Sequence, residues 1–268
     1  PTPPLPIGPQ GRTLVRGFEK LGWHWWPSES GIVSVPYDGR LGCLNAGQCD
    51  LGCPIGAKST VDITYWPKAL ANGATIKTHA RVREITVGTD GMVDGVIYYD
   101  EHGKLQEQKA RVVVLACNGV GTPRLLLNSK TTLFPEGLAN NSGLVGKNLM
   151  FHPVAFVVGV FDEDLEAYKG AIACSITSYE FYETDMSRGF VRGFQMQSNR
   201  EGGPVHTSLG GPLGQAIPWG EDHHRVFAER YGHTVVMCVL TEDLPEEHNQ
   251  VVLDPTLCDS DGIPAPKI

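Results

Sequence analysis

Long hydrophobic runs and basic clusters are missing from this chain of 268 residues. The longest apolar stretches lie around Val112–Cys117 and Val154–Phe161, and both are far too short to span a bilayer. Lys and Arg number 22 against 30 Asp and Glu, giving a formal net charge of -8 at pH 7. This balance argues against nucleic acid as the main partner, and the composition fits a soluble globular protein.

Several common catalytic motifs are also missing. The sequence contains no GxSxG, no P-loop, no GxGxxG and no HExxH. No secretory signal is visible, but the chain begins at Pro1 and stops at Ile268, where a new strand seems to start. We therefore expect a fragment or processed piece, and its compartment stays unknown. Motif rules alone do not demonstrate catalysis.

Three of the seven cysteines, Cys43, Cys49 and Cys53, form a C-x5-C-x3-C cluster in a Gly-rich loop over residues 36–59. Thiolates hold soft metals and iron–sulfur clusters, and three of them suit a three-iron cluster or a site with a borrowed ligand. The alternative is that reduced or disulfide-linked cysteines merely pack the loop, and the residues alone favour that alternative. The remaining cysteines are scattered singly along the chain: Cys117, Cys174, Cys238 and Cys258.

The segment Arg111–Ser129 organises the middle of the chain. Val112–Ala116 predicts a strand that is buried on both faces, because it lacks polar alternation. A turn of small residues follows, and Thr122 and Pro123 then suit the start of a helix. Such a turn is either a ligand site at the end of a parallel strand or a plain strand-to-helix connection.

The rest of the chain reads as short elements. Helices are expected over Leu14–Leu21, with Gly22 at its end, and over Thr60–Asn72. Three nearby tryptophans, Trp23, Trp25 and Trp26, indicate a packed core wall more than a ligand-facing one. β-branched, Gly-bounded runs predict strands, with a turn at residues 100–103. The expected strands are 74–76, 80–87, 92–99, 104–109, 154–161, 171–176, 190–196, 234–240 and 250–253.

Five blocks of sequence occur in an order that resembles the glucose–methanol–choline (GMC) family of flavin-dependent oxidoreductases. They are CDLGCPIGAKS, TYWPKALANGATIKTHARVREI, VVVLACNGVGTPRLLLNS, GLVGKNLMFHP, and EEHNQVVLDP with DSDGIPAPKI. The third block is similar to the family's second signature. The fourth is similar to its G-x-N-L-x-D-H loop, except that Phe151 stands where an acidic residue is usual. His152 lies in this loop and is a further candidate site residue. The alternative is a structural histidine whose ring forms a hydrogen bond with the backbone of the loop.

The resemblance implies FAD as cofactor and oxidation of an alcohol, polyol or sugar by hydride transfer to the flavin. Val82 corresponds to the position whose backbone contacts the adenine. The strand end that lies against the dinucleotide corresponds to Ala116, Cys117, Asn118 and Gly119. The FAD-cradling GxGxxG would precede Pro1, and the catalytic histidine is expected beyond Ile268.

The cysteine loop also resembles that of bacterial FAD-dependent sugar and polyol dehydrogenases. In those proteins a 3Fe-4S cluster passes electrons to a cytochrome, which would make an electron-acceptor protein a partner of this chain. Two alternatives remain open. One is a different two-domain flavoprotein, and the other is an iron–sulfur electron-transfer or structural module.

The expected fold is a partial α/β, Rossmann-like FAD-binding domain plus an α+β substrate domain with a mostly antiparallel sheet. Residues 1–72 are expected to form an arm, the Cys-rich loop and a helix that links the two domains. Residues 73–153 are expected to belong to the FAD-binding domain, with inserted antiparallel strands. Residues 154–268 are expected to form the substrate-binding domain.

Overall fold

The computed structural model describes residues 2–47, 49, 51–171, 175–200, 202–211 and 214–268. Chain contacts divide it into two compact units, Pro1–Ala74 with His152–Glu242 and Thr75–Phe151 with Asp243–Ile268. The first 74 residues thus group with the later strands, and the last 26 group with the middle of the chain. Which unit binds FAD and which binds substrate stays a prediction.

The chain forms short helices and strands. The α-helices are α1 (Gly8–Leu21), α2 (Val61–Ala71), α3 (Asn118–Asn128), α4 (Pro204–Ser208) and α5 (His223–Arg230). The first strands are β1 (Trp26–Pro27), β2 (Arg81–Val87), β3 (Val93–Tyr99), β4 (Leu105–Lys109) and β5 (Val154–Val160). The later strands are β6 (Ile176–Ser178), β7 (Phe194–Asn199), β8 (Thr234–Thr241), β9 (Val252–Cys258) and β10 (Pro264–Lys267).

The first unit contains an antiparallel sheet with strand order β1-β6-β7-β8-β5. The core of this unit forms where the apolar face of α1 packs on the sheet. Val15 and Phe18 of the helix form one cluster with Ile176 and Met196 of the sheet. The mostly antiparallel sheet that the alternating sequence predicts is therefore confirmed. Of the strand expected over residues 171–176, positions 172–174, including Cys174, lie outside the described residues.

Helix α1 begins at Gly8, six residues before the position that the sequence predicts. The amino-terminal arm that precedes this helix is therefore shorter than the sequence predicts. The fully buried Gln10 secures the added turn, because its amide donates to the Asn199 carbonyl at 2.8 Å and approaches the Thr234 carbonyl at 3.4 Å. The predicted end is confirmed, since Gly22 takes the left-handed conformation at φ 71°.

The tryptophans after α1 pack as the sequence predicts. Trp23 and Trp25 lie against the core, and the Trp23 ring meets Phe181 edge-on with centroids 4.9 Å apart. Trp26 lies at the side of the core and stacks on Tyr179 at 5.0 Å. Core packing is thus confirmed for Trp23 and Trp25.

The second unit contains the antiparallel meander β2-β3-β4, whose strands agree with the predicted ones to within one residue. The turn at residues 100–103 is confirmed, because the Gly103 amide donates to the Asp100 carbonyl at 2.9 Å. The expected strand at residues 74–76 is wrong, since this segment has no regular structure. Its neighbour Gly73 has φ 88°, which stops α2 and turns the chain away.

The expected strand at residues 250–253 is confirmed in part. Val252 and Leu253 begin β9, which pairs with β10 and packs against α3 in the second unit and does not extend the five-stranded sheet. The expectation for Val112–Ala116 is wrong. The predicted buried strand Val112–Ala116 is an extended segment with no assigned strand, in which Val112 is 75% and Val114 is 83% exposed. An apolar run is buried only where other layers cover both faces, and no described strand pairs with this one.

None of the helices in the described ranges is long and apolar enough to cross a membrane.

Candidate functional site

The first turn of α3 is organised by Asn118, a residue predicted to contact the cofactor. Asn118 takes the left-handed conformation at φ 63°, which asparagine tolerates better than most residues. Its carboxamide oxygen accepts hydrogen bonds from the amides of Val120 at 2.9 Å and Gly121 at 3.0 Å. The helix therefore starts earlier than the Thr122–Pro123 pair suggested, and Pro123 lies inside it.

A groove of about 410 Å³ runs along the start of α3. This volume lies in the range of small-molecule sites. Gly119 forms part of its wall, and a Cβ added there would meet no atom within 4 Å. Its lining comes from α3 (Gly119, Thr122, Pro123, Leu126) and from the later loop (Val145, Gly146, Lys147, Asn148, Leu149, Met150). Gly119 therefore leaves open space where a ligand could approach the backbone.

The loop on the other side of the groove is held by the segment that precedes β9. Gly146 and Val251 form a backbone hydrogen bond of 2.8 Å, and the Leu149 amide donates to the Asn249 carbonyl at 2.8 Å. Gly146 has φ 87°, and a Cβ there would lie 2.2 Å from the Val251 carbonyl oxygen. Only glycine fits this close approach of two backbones.

The far end of α3 is fixed to β2 by two polar side chains. The buried Ser129 hydroxyl accepts from the Ile85 amide at 2.9 Å and donates to the Leu125 carbonyl at 2.7 Å. The Asn128 amide group donates to the Arg83 carbonyl at 2.9 Å. The sequence analysis missed these anchors, although polar residues directly after the leucine run were a visible sign of them.

An ion pair fixes the same helix to the β9–β10 hairpin. The Arg124 guanidinium donates to the Asp259 carboxylate at 2.8 Å and to the Pro264 carbonyl at 2.7 Å. Burial acts to raise the pKa of Asp259, but the hydrogen bonds from Arg124 and from the amides of Ile263 and Asp261 outweigh it and hold that pKa below its usual range. Sequence analysis missed this pair, because its members are 135 positions apart.

Val82, the predicted adenine contact, lies on β2 opposite Tyr98. The register shifts between Val82 and Glu84, which marks a bulge that leaves backbone groups without their ladder partners. Arg83 is also the point where α3 ends against β2, so Val82 lies near the opposite end of this helix from Asn118. The 11 residues of α3 span about 16 Å.

Backbone hydrogen bonds to Val33 hold both ends of the cysteine loop. The Cys43 amide donates to the Val33 carbonyl at 2.8 Å, and the Val33 amide donates to the Ala57 carbonyl at 3.0 Å. Between these points, the Lys58 ammonium donates to the Cys49 carbonyl at 2.9 Å. Hydrogen bonds among the described residues therefore hold the loop together.

The three loop cysteines line one cavity of about 30 Å³, and all three are free thiols. That volume has room for about one water molecule, not for a cluster of three irons and four sulfides. Among the described residues, no group of three His, Cys, Asp or Glu side chains is placed to hold a metal ion. This arrangement therefore does not fit an iron–sulfur cluster.

The pKa of the Cys53 thiol is lowered. The largest cause is a hydrogen bond from the Lys58 backbone amide. Burial opposes it as the second-largest cause, and the amides of Ile55, Ala57 and Gly56 each lower the pKa further. Backbone donors around the Cys53 sulfur thus favour its thiolate form.

His152 is exposed, and neither of its ring nitrogens forms a hydrogen bond within the described part of the chain. The hydrogen bond to the backbone that a structural role of His152 predicts is therefore not seen among the described residues. Ala116, Cys117, Asn118 and Gly119 are consecutive and all exposed, and Gly119 lines the groove. Whether any of these residues binds a cofactor stays a prediction.

Comparison with known proteins identifies the family. The model of the GMC oxidoreductase family matches residues 4–154, more than half of the chain. The chain is 43% identical over 268 residues to 2-methyl-1,2-propanediol dehydrogenase from Mycolicibacterium austroafricanum, covering 99% of this chain and 48% of that protein. It is 30% identical over 271 residues to the fructose dehydrogenase large subunit from Gluconobacter japonicus, covering 100% and 48%.

The chain belongs to the GMC oxidoreductase family. The resemblance inferred from its five sequence blocks is therefore confirmed. The chain spans about half the length of these two relatives. A third relative, 6'''-hydroxyparomomycin C oxidase from Streptomyces lividus, is 32% identical over 159 residues, which are 58% of this chain and 29% of that protein.

GMC oxidoreductases bind FAD, and the second unit of this GMC chain offers features that fit such a cofactor. They are the open space at Gly119, the exposed apolar segment at 112–116 and the bulge at Val82. The match to the GMC family model supports neither of the two alternatives left open by the sequence, a different two-domain flavoprotein or an iron–sulfur module. None of the comparisons supports an iron–sulfur cluster in this chain.

Proposed function

We propose that this GMC chain is part of an FAD-dependent oxidoreductase that oxidises an alcohol, polyol or sugar by hydride transfer to the flavin. The observation that carries the proposal is the groove at the start of α3. There, Gly119 leaves space for close approach and the preceding residues are exposed. When bound, the flavin supplies a hydride acceptor that no protein side chain provides.

The chain's own contribution is to bind and orient the dinucleotide. Ala116, Cys117, Asn118 and Gly119 form the edge against which it lies, and the backbone at Val82 contacts the adenine. The two contacts flank α3, which is about 16 Å long, so a ligand that reaches both must be extended, as a dinucleotide is. The strand-like segment 112–116 supports the cofactor and carries no chemistry of its own.

The described geometry gives no reason to assign a catalytic group to this chain. The histidine that accepts the hydroxyl proton is expected in sequence beyond Ile268, and His152 is exposed at the loop that follows the groove. Residues 73–153 are proposed to serve the cofactor, and residues 154–268 the substrate. Iron–sulfur ligation by Cys43, Cys49 and Cys53 is not part of the proposal, because the cavity that they line does not fit a cluster.

A small-molecule alcohol, polyol or sugar is the proposed substrate. Two relatives carry names that specify a 1,2-diol and a ketose sugar, and a third is named for an aminoglycoside alcohol. What these names share is a primary or secondary alcohol on a polar, multiply hydroxylated molecule. An electron-acceptor protein such as a cytochrome is the proposed partner, and since no cluster is proposed in the cysteine loop, it would take its electrons from the flavin.

The test is to express this chain together with its flanking coding sequence and to analyse the product for flavin. We expect FAD to be released on denaturation at about one per chain, and the bound flavin to bleach anaerobically when 2-methyl-1,2-propanediol or a related polyol is added. NAD should be neither required nor reduced. A product without flavin, or one that reduces NAD, would contradict the proposal.

A further inference from the structure

A groove along α1 has no part in the proposed function. Its volume is about 420 Å³, which lies in the range of small-molecule sites. Five of its lining residues belong to α1, and the other two, Glu163 and Leu165, belong to the loop that follows β5. Both segments are parts of the first unit, so the groove lies within that unit alone.

Helix α1 makes its side of the groove cationic. Arg12 and Arg16 both line the groove, and because they are four residues apart they leave the helix on the same face. The Arg16 guanidinium donates to the Thr13 hydroxyl at 3.2 Å, and this hydroxyl donates in turn to the Pro9 carbonyl at 3.1 Å. Neither arginine forms an ion pair within the described part of the chain. Most of their hydrogen-bond donors are thus unused at the groove.

The two arginines are arranged against the stability of their own helix, since like charges four residues apart on a helix repel each other. On α5, by contrast, Arg225 lies four residues before Glu229 and pairs with it at 2.7 Å. The helix at the groove therefore carries positive charge that no described carboxylate compensates.

The loop after β5 brings negative charge to the same groove. Glu163 is an exposed lining residue and forms no ion pair with any of the residues that the structure describes. Its neighbour Glu166 is already paired, with Lys169 at 2.5 Å. The loop is held in place because the Leu165 amide donates to the Gly232 carbonyl at 2.9 Å. Charges of opposite sign therefore line one groove without forming an ion pair across it.

The remaining lining of the groove is apolar. Val15 is 8% and Leu165 is 4% exposed, and Pro9 lines the groove beside them. Apolar surface together with separated charges fits a ligand that has an apolar body and two charged groups. A ligand with a carboxylate alone would be repelled by Glu163, and one with an ammonium alone would be repelled by the arginines.

We propose that the groove along α1 binds a small zwitterion, an α-amino acid with an apolar side chain. Its carboxylate accepts hydrogen bonds from the guanidiniums of Arg12 and Arg16, and its ammonium lies against the Glu163 carboxylate. Its side chain covers Val15 and Leu165. The inference depends on neither FAD binding nor alcohol oxidation, and binding changes no covalent bond.

The experiment is isothermal titration calorimetry of the full 268-residue chain at low ionic strength, because salt screens exposed charges. Leucine is compared with 4-methylpentanoate, which lacks the ammonium, and with 3-methylbutylamine, which lacks the carboxylate. We expect leucine to bind with a dissociation constant of about 1 mM, a usual strength for so small a ligand. Each of the two singly charged compounds should bind at least about tenfold more weakly.

Variants then test each side of the groove. Arg12→Met/Arg16→Met should lose leucine binding by at least about tenfold. Glu163→Gln should bind leucine more weakly but 4-methylpentanoate more tightly than the parent does, because the repulsion of the carboxylate is removed. A merely structural role of Glu163 would not reverse the preference in this way. The matched control is Glu19→Gln/Lys20→Met, which changes two exposed charges of α1 outside the groove and should bind leucine as the parent does.

Three outcomes would overturn the proposal. The first is the absence of saturable leucine binding at millimolar concentrations. The second is equal affinity of the parent for leucine and for 4-methylpentanoate, because Glu163 would then not select the ammonium. The third is unchanged leucine binding in the folded Arg12→Met/Arg16→Met variant, which would place the ligand elsewhere.

Discussion

At the scale of single residues, Arg124 and Asp259 position the helix on which the proposed cofactor site depends. Their side chains are 18% and 19% exposed, and they join α3 to the turn between β9 and β10. Arg124→Met leaves the Asp259 carboxylate with the more exposed Arg81 as its cation and with the amides of Asp261 and Ile263 as hydrogen-bond donors. We expect the free energy of unfolding to fall by about 2–3 kcal/mol, measured by urea denaturation.

The matched control is Arg225→Met on α5, where the ion pairs to Asp222 and Glu229 lie between largely exposed side chains. Because surface pairs contribute little, this variant should unfold at the same urea concentration as the parent. Equal losses in the two variants would mean that the Arg124 pair does not hold α3 in place.

The lowered pKa of Asp259 predicts how the stability of the fold depends on pH. A carboxyl whose pKa is lower in the folded state stabilises the fold above its unfolded pKa of about 3.9, and this stabilisation is lost as the pH falls through the folded value. The stability difference between the parent and Asp259→Asn should therefore be largest near neutral pH and shrink below about pH 4. A difference independent of pH between 7 and 3 would show that the carboxylate charge has no such role.

At this scale the sequence was informative about one side of the candidate site and silent about the other. The small residues after Val112–Ala116 predicted an accessible turn, and Asn118 and Gly119 are exposed beside the groove. The Arg124–Asp259 pair could not be predicted, because neither residue carries a local signal and the contact joins distant parts of the chain.

At the scale of elements, the loop between Val145 and Met150 is shaped by one close backbone approach. Gly143 and Gly146 both have positive φ, but a Cβ at Gly143 meets open space, whereas a Cβ at Gly146 would lie 2.2 Å from the Val251 carbonyl oxygen. Gly143→Ala should lower the free energy of unfolding by about 1 kcal/mol, through backbone strain alone. Gly146→Ala should cost more than about 2 kcal/mol, because it also separates the loop from the segment before β9.

Both variants are compared by thermal and urea unfolding, since each replaces a left-handed glycine with the same residue. If Gly146→Ala is no more destabilised than Gly143→Ala, the backbone contact to Val251 does not determine the loop.

Strand β5 lies at an edge of the five-stranded sheet, where it can pair with a strand of another chain. It ends the five-stranded sheet, and its apolar side chains include Phe156 at 61% and Val157 at 63% exposed. Exposed apolar edge strands favour association between chains. We expect the 268-residue chain to self-associate as its concentration rises, and Phe156→Lys to reduce this in light scattering without lowering the unfolding midpoint. Unchanged light scattering in Phe156→Lys would show that the surface responsible for self-association lies elsewhere.

Elements were predictable where the pattern was local. β-branched, Gly-bounded runs and the turn at residues 100–103 located β2, β3 and β4 to within a residue, because each pairs with its neighbour in sequence. The same reasoning failed for Val112–Ala116, since an apolar run shows what could be buried and not what covers it. It placed a strand at residues 250–253, where β9 begins at Val252, but it could not give the partner β10 or the neighbouring helix α3, which are set by tertiary packing.

At the scale of the whole molecule, this chain spans about half the length of two curated relatives, and its proposed cofactor site uses one groove and one bulge. We therefore expect the 268-residue chain alone to hold FAD weakly and to show no turnover. Flavin titration followed by gel filtration would check this. Tight flavin binding together with sugar oxidation by this chain alone would contradict it.

The most direct test of the central claim is the FAD dissociation constant of Gly119→Val, measured in the gene product that contains this chain and its flanking sequence. Gly17→Val in α1 is the matched control, because both glycines are helical, neither has positive φ, and a Cβ at either one meets open space. If FAD lies against the start of α3, Gly119→Val should weaken FAD binding by at least about tenfold while the apoprotein unfolds as the control does. Equal FAD affinity in the two variants would contradict the claim.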